Sequence, residues 1–98
     1  MTEVINIYYA GPNERAKMIK VDRTSIFGNP FFINKHGNRL DVIEYYRLYF
    51  YARLQRDPQF KKEVHKLKDK ILGCWCKPLP CHADIIVNYL DNIYKKSV

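Results

Sequence analysis

The sequence predicts an α/β domain, a small mixed sheet of three to four strands with helices packed on it. Three observations carry that expectation. "VINIYY" is a run of β-branched and aromatic residues stopped by Gly11-Pro12, the pattern of a short buried strand. "KILGCWC" is a second extended run, nearer the carboxyl end. Between them apolar residues recur at helical spacing, first as Ile43, Tyr46, Phe50 and Leu54, then as Phe60, Val64 and Leu67. A length of 98 residues suits one domain spanning 1–98, and a hydrophobic fraction of 47% is enough to build its core.

In chain order, "VINIYYAGP" forms the first strand and "KMIKVDR" a shorter second one. The link "GPNERA" is too short to hold a crossover helix, so the two strands are expected to form a hairpin. Next comes "TSIFGNPFFINKHGN", 15 residues without periodicity; long ordered loops in small domains tend to be functional. Asn38, with Asp41 three residues on, makes a near capping box for the helix that follows. "RDP" ends that helix, and Asp57 caps the next with Pro58 in its first turn. In "KILGCWCK" strand alternation puts Cys74 and Cys76 on one side and Trp75 in the core on the other. "KPLP" is a stiff connector. The last helix begins near Cys81 and runs to about Tyr94, burying Ile85, Ile86, Tyr89, Leu90 and Ile93.

No apolar stretch approaches the roughly 20 residues that span a bilayer, so no membrane partner is expected. "MTEVINIYYAG" carries an acidic residue and no basic flank, unlike a secretory signal. Three cysteines, an odd number, do not close a disulfide framework, so the expected setting is reducing and cytoplasmic. Seventeen basic against ten acidic residues give a formal charge of +7, a bias toward anionic partners. The lysines gather in "FKKEVHKLKDK" and "YKKSV", apart from the aromatic residues, whereas a nucleic-acid footprint interleaves the two. They read as solvated helix faces, and nucleic acid is a possible partner but not the favoured one. Eight tyrosines and five phenylalanines exceed what a small interior hides. Tyr45 and Tyr49 fall off the Ile43–Tyr46–Phe50 stripe, which points to a ligand or to self-association, as a two-fold homodimer or a higher homo-oligomer.

"GCWCKPLPCHAD", residues 73–84, holds every cysteine of the chain. Cys74, Cys76, Cys81 and His82 are the right types for zinc, but their spacing is wrong. A single residue separates Cys74 from Cys76, and adjacent Cys81 and His82 on a helix point about 100° apart. No metal or other cofactor is expected, and a disulfide would need an oxidising compartment. Strand–turn–helix placement suggests another use. Cys81 and His82 fall in the first turn of the last helix, where unpaired N–H groups and the helix dipole attract anions and depress a thiol's pKa. Open α/β sheets also bind ligands beyond the carboxyl ends of their strands. Cys81 is thus a candidate nucleophile and His82 a candidate acid, base or donor, since an imidazole there gains nothing structurally. Cys74 reads as a small apolar core residue. In "GNPF", Gly28 permits a close backbone approach, Asn29 offers donor and acceptor, and Pro30 fixes the turn. Tyr9 and Gly11 at the end of the first strand, with Gly28, Asn29, Cys76, Cys81 and His82, form the expected ligand-binding set. With a hairpin, Gly28–Phe31 would start at the far edge and have to cross back to reach the cysteines.

"FGNPF", then "RLDVIEYYRLYF", then "LGCWCKPLPCHADII" together resemble an uncharacterised domain family of bacteria and phages. Its hallmarks are an early Gly-Asn-Pro-Phe and a late Cys-Trp-Cys-Lys-Pro…Cys-His. The resemblance covers roughly residues 25 to 90, with Ala83 where the family usually has Gly. It implies a site and no settled activity. A fainter similarity to a second small α/β family, whose core strand also ends in cysteine ahead of a Cys-His helix start, implies a Rossmann-like or flavodoxin-like arrangement.

The leading expectation is a protein that binds a small anionic, nucleotide-derived ligand at the strand-to-helix junction. In a phage protein that would amount to sequestering a host signalling nucleotide. One alternative is an enzyme, a transferase or hydrolase, acting on such a ligand through Cys81 and His82, although no third residue orients the histidine. The other is a basic nucleic-acid-binding protein.

Overall fold

In a computed structural model that describes residues 2–94, three short strands run parallel in the order β1-β3-β2. They are β1 (Glu3–Asn6), β2 (Ile19–Lys20) and β3 (Ile71–Cys74). The helices are α1 (Pro12–Lys17), α2 (Arg39–Arg56), α3 (Pro58–His65) and α4 (Ala83–Tyr94). This is an α/β fold whose sheet is wholly parallel instead of mixed. The central strand β3 pairs with β1 from Glu3↔Ile71 to Asn6↔Cys74 and with β2 at Ile19↔Leu72 and Lys20↔Gly73.

The expected hairpin between the first two strands is therefore absent, and its physical reason lies at Asn6. The Asn6 side chain accepts the N–H of Tyr8 at 2.8 Å, which turns Ile7–Tyr9 into a 3₁₀ turn and stops the strand early. "GPNERA" then does hold a helix, with Pro12 at its start and the Glu14 carboxylate accepting the Gly11 N–H at 3.0 Å. The connection thus runs over residues 7–18, the dozen or so that a parallel crossover needs. A six-residue helix is about 9 Å long, enough to pass one intervening strand.

The sheet has two unlike faces. On one, Gly73 lies so close to Met18 and Ile7 that a Cβ would meet Met18 Sδ at 2.7 Å and Ile7 Cγ1 at 2.9 Å. On the other, Leu72 and Cys74 enter the main core with α2, α3 and α4. The α2 stripe is Val42, Tyr46, Phe50 and Leu54, with Ile43 half-buried at its margin. Phe50 is fully buried, its ring 5.8 Å from Phe60 and 5.6 Å from Tyr89. Both expected caps are present. Asn38 Oδ1 accepts the Asp41 N–H at 2.9 Å while Asp41 accepts the Asn38 N–H at 3.0 Å, and Asp57 accepts the Phe60 N–H at 3.1 Å.

Trp75 is not in the core. Alternation holds only while the chain stays in the ladder, and β3 ends at Cys74, leaving Trp75 53% exposed. The last helix begins at Ala83, so Cys81 and His82 form the turn leading into it. Among the described residues, no helix is long and apolar enough to cross a membrane.

Candidate ligand-binding cleft

Because all strands run the same way, the segments that leave β2 and β3 emerge at one end of the sheet. Val21 extends the β2 ladder by one step, its N–H reaching the Gly73 carbonyl at 3.0 Å. Asp22 and Arg23 follow it, and Trp75 and Cys76 follow β3. With Asn29, the first turns of α2 and the Cys81-His82 turn, they enclose a cleft of about 160 Å³. The parallel order also removes the need for the "GNPF" segment to cross the sheet. Asn29 lines the same cleft as Cys76, Cys81 and His82.

Asn29 is buried and hydrogen-bonded at both ends of its amide. Its Nδ2 donates to the Val42 carbonyl at 3.1 Å and its Oδ1 accepts the Phe31 N–H at 2.9 Å. Gly28 supports it from behind. A Cβ there would lie 2.6 Å from both Arg23 Cα and the Asp22 carbonyl, so only glycine lets the loop close on itself. Gly28 therefore brings Asp22, Arg23 and Asn29 together without lining the cleft. Tyr9 and Gly11 stand elsewhere: Tyr9 is 77% exposed on the 3₁₀ turn, and Gly11 caps α1.

His82 bridges the sheet and α4. Its Nε2 lies 2.5 Å from the Val21 carbonyl, and since a carbonyl only accepts, Nε2 carries the proton. Burial pushes the His82 pKa down, and the Arg23 charge adds to that against the Val21 bond. The other ring nitrogen, Nδ1, faces Cys81 Sγ at 3.6 Å. The ring edge packs on Tyr46 at 5.0 Å between centroids. The imidazole thus has a structural task after all: it satisfies the carbonyl just past β2.

The cysteines reverse one expectation. Cys81 is buried, and its pKa is raised, first by its hydrogen bond with Cys74 and then by desolvation. In that pair Cys74 is the thiol that gives up its proton more easily, through the Cys81 bond and, against the desolvation of its burial, the N–H groups of Cys76 and Lys77. Cys74 is only 1% exposed and borders the floor of the cleft. Nor is the start of α4 an open anion cradle. The Asp84 carboxylate already accepts the Cys81 N–H at 3.1 Å, and the Ala83 N–H points at Cys81 Sγ at 3.4 Å. Among the described residues, no three His, Cys, Asp or Glu side chains are arranged to hold a metal ion.

Positive charge comes instead from two arginines that the sequence reading missed. Arg23 donates to the carbonyls of Asn29 at 3.0 Å and Phe31 at 2.9 Å, and Arg39 to that of Pro80 at 3.3 Å. Both guanidinium groups are held by carbonyls and not by carboxylates, so their charge is not neutralised by these contacts. At the mouth, Asp22 accepts the Trp75 indole N–H at 3.0 Å and hydrogen bonds from Thr24. Partial burial works against the charged Asp22, but the bonds from Thr24 and Trp75 prevail and hold its carboxyl below the usual range. The indole is thereby tethered at its nitrogen while the residue stays half exposed. A signal for this group was present in "VDR", directly after the second strand, once that strand is known to be parallel.

The molecule is thus a small α/β domain whose Gly-Asn-Pro-Phe and Cys-Trp-Cys…Cys-His segments meet on one cleft. The chain belongs to the family described as a domain of unknown function (DUF4326), whose model matches residues 6–92. It is similar to the "Uncharacterized 12.4 kDa protein in nrdA-td intergenic region" of Enterobacteria phage T4, with 32% identity over 78 residues, 79% of this chain and 70% of that protein. Both findings bear out the likeness, read from the two motifs, to an uncharacterised family with phage members. No solved structure matches the chain.

Proposed function

We propose that the chain binds a small anionic, nucleotide-like ligand in this cleft, its charged group against Arg23 and Arg39 and its planar part against Trp75. The observation that carries this reading is two guanidinium groups, neither held by a carboxylate, beside an exposed indole at the carboxyl ends of parallel strands. The volume, about 160 Å³, falls below the roughly 300–1,000 Å³ of a pocket that encloses a drug-sized ligand. One ring or one phosphate group enters, and the remainder lies on the rim. Burial of Cys74 and Cys81 favours binding without turnover over an enzyme that uses either thiol. For a chain with a phage relative, such binding would sequester a host nucleotide.

Calorimetric titration with nucleoside mono-, di- and cyclic phosphates tests this. At least one class should saturate at one site per chain. Arg39→Gln and Trp75→Leu should each weaken it by about 1–3 kcal/mol, the scale of one charge-assisted contact or one stacked base. Absence of saturable binding across the panel, or indifference to both substitutions, would overturn the reading. A shallow salt dependence is expected for one bound ligand, against the steep slope of a long polyanion.

The proposed homodimer places the outer face of α2 at its interface. Leu40 and Leu48 are more than half exposed there, and Tyr45 joins Phe31 and His36 in an open apolar groove. Light scattering at high micromolar concentration should report twice the chain mass, and a monomer would remove the dimer.

A further inference from the structure

A second surface, which shares no residue with the cleft, lies where the end of α2, α3 and α4 meet. In sequence the lysines of α3 stand apart from the aromatic residues, but folding brings them together. Tyr51, Tyr89, His65 and Tyr94 form a row, each ring edge-on to the next at centroid distances of 5.8, 5.6 and 5.8 Å. The row is held in place by His65, whose Nε2 lies 2.7 Å from the Tyr89 hydroxyl and whose Nδ1 lies 3.0 Å from that of Tyr94. Tyr51 and Tyr94 remain 39% and 43% exposed. Lysines flank both ends. Lys61 joins Tyr51 and Tyr89 in lining an open groove of about 490 Å³, and Lys68 Nζ sits 5.0 Å above the Tyr94 ring. Lys66 and Lys68 pair with Glu63 and Asp69, whereas Lys61 and Lys62 make no ion pair among the described residues.

We propose that this row of rings, with Lys61 and Lys68 beside it, is a binding surface for single-stranded nucleic acid. Partly exposed rings next to a cation without an ion pair, here Lys61, are what a sequence-tolerant single-strand binder presents, the rings stacking bases and the cation following the backbone. A duplex hides its base faces and cannot use the rings. An acidic peptide would use the lysines but not the flat faces. Charge complementarity with a chain of net charge +7 acts in the same direction.

Fluorescence anisotropy with a labelled oligothymidylate at low salt decides the matter, run beside a duplex of equal length and a polyglutamate competitor. The single strand should bind more tightly than the duplex. Tyr51→Leu and Tyr94→Leu should each weaken it by about five-fold or more, the lower end of what one lost base stack removes. Lys61→Gln should flatten the slope of log affinity against log salt by about 0.7, the contribution of one phosphate contact on a single strand. Both tyrosines are exposed at the edge, so circular dichroism should show the fold retained, and either variant alone carries the test. No binding at about 50 mM salt, equal binding of the duplex, displacement by polyglutamate at equal charge, or indifference to the folded tyrosine variants would each overturn the proposal.

Discussion

Tyr46→Ala should destabilise the domain by about 3–5 kcal/mol, the range for removing a large buried ring. Tyr46 is completely buried, stacks on Phe50 at 5.7 Å, and donates its hydroxyl to the Phe27 carbonyl at 2.8 Å. Truncation opens a cavity between α2 and the His82 turn and leaves the carbonyl of a buried loop residue unpaired. A small domain has only about 5–15 kcal/mol in hand, so the variant should stand at the margin of folding. Urea unfolding should show a lower midpoint with an unchanged slope. Tyr46→Phe separates the contributions, because it keeps the packing and loses only the hydrogen bond, about 1 kcal/mol. A loss below that figure for Tyr46→Ala would mean that α2 does not pack as described.

Asn29→Asp should cost about 3 kcal/mol at neutral pH, near the upper end for a buried polar group left without its partner. The amide nitrogen that donates to the Val42 carbonyl at 3.1 Å would become a carboxylate oxygen facing another oxygen. The sign with pH follows from burial. In the unfolded chain the new carboxyl titrates near 3.9, whereas in the folded chain its pKa is raised, since the protonated form alone can donate to Val42. Below about pH 3.9 both states are protonated and the variant should approach the parent in stability. As pH rises, the unfolded state binds fewer protons than the folded one. The variant then loses stability relative to the parent by up to about 1.4 kcal/mol per pH unit, until the folded pKa is passed. Paired melts at about pH 4 and pH 7.5 measure this difference, and equal gaps at both would show that Asn29 is not buried against Val42.

The features that were legible in the sequence are those set by nearby residues. The Asn38–Asp41 cap and the Asp57–Pro58 start of α3 depend on residues three or four apart and formed as read, and the α2 stripe did so at Tyr46, Phe50 and Leu54, with Val42 in the place expected of Ile43. The sheet order was not legible. Whether Asn6 ends a strand depends on its side chain capturing the Tyr8 N–H, and β1 and β2 depend on a partner more than fifty residues away. That one error carried others with it. It put "GNPF" at the wrong edge, and it hid Asp22 and Arg23, which follow β2 to the cleft. Asn29, Cys76, Cys81 and His82 were found because their residue types in two short motifs, and the family likeness those motifs carry, marked them. The roles of His82 and Cys81 differed because His82 is taken up by the Val21 carbonyl and Cys81 is buried, neither of which a short motif reports.

The order of the strands also fixes when this molecule can exist. β3 is the centre of the sheet and the last of the three to be synthesised, so β1 and β2 have no partner until it appears. At translation rates of about 5–20 residues per second, the interval between Asn6 and Ile71 is on the order of 3–13 seconds. Throughout that time Glu3–Asn6 has no strand with which to pair. No stalled or shortened product lacking residues 71–74 can close the sheet or gather the cleft at its end. The cleft at the end of the sheet is therefore complete only once the central strand has joined both of its neighbours.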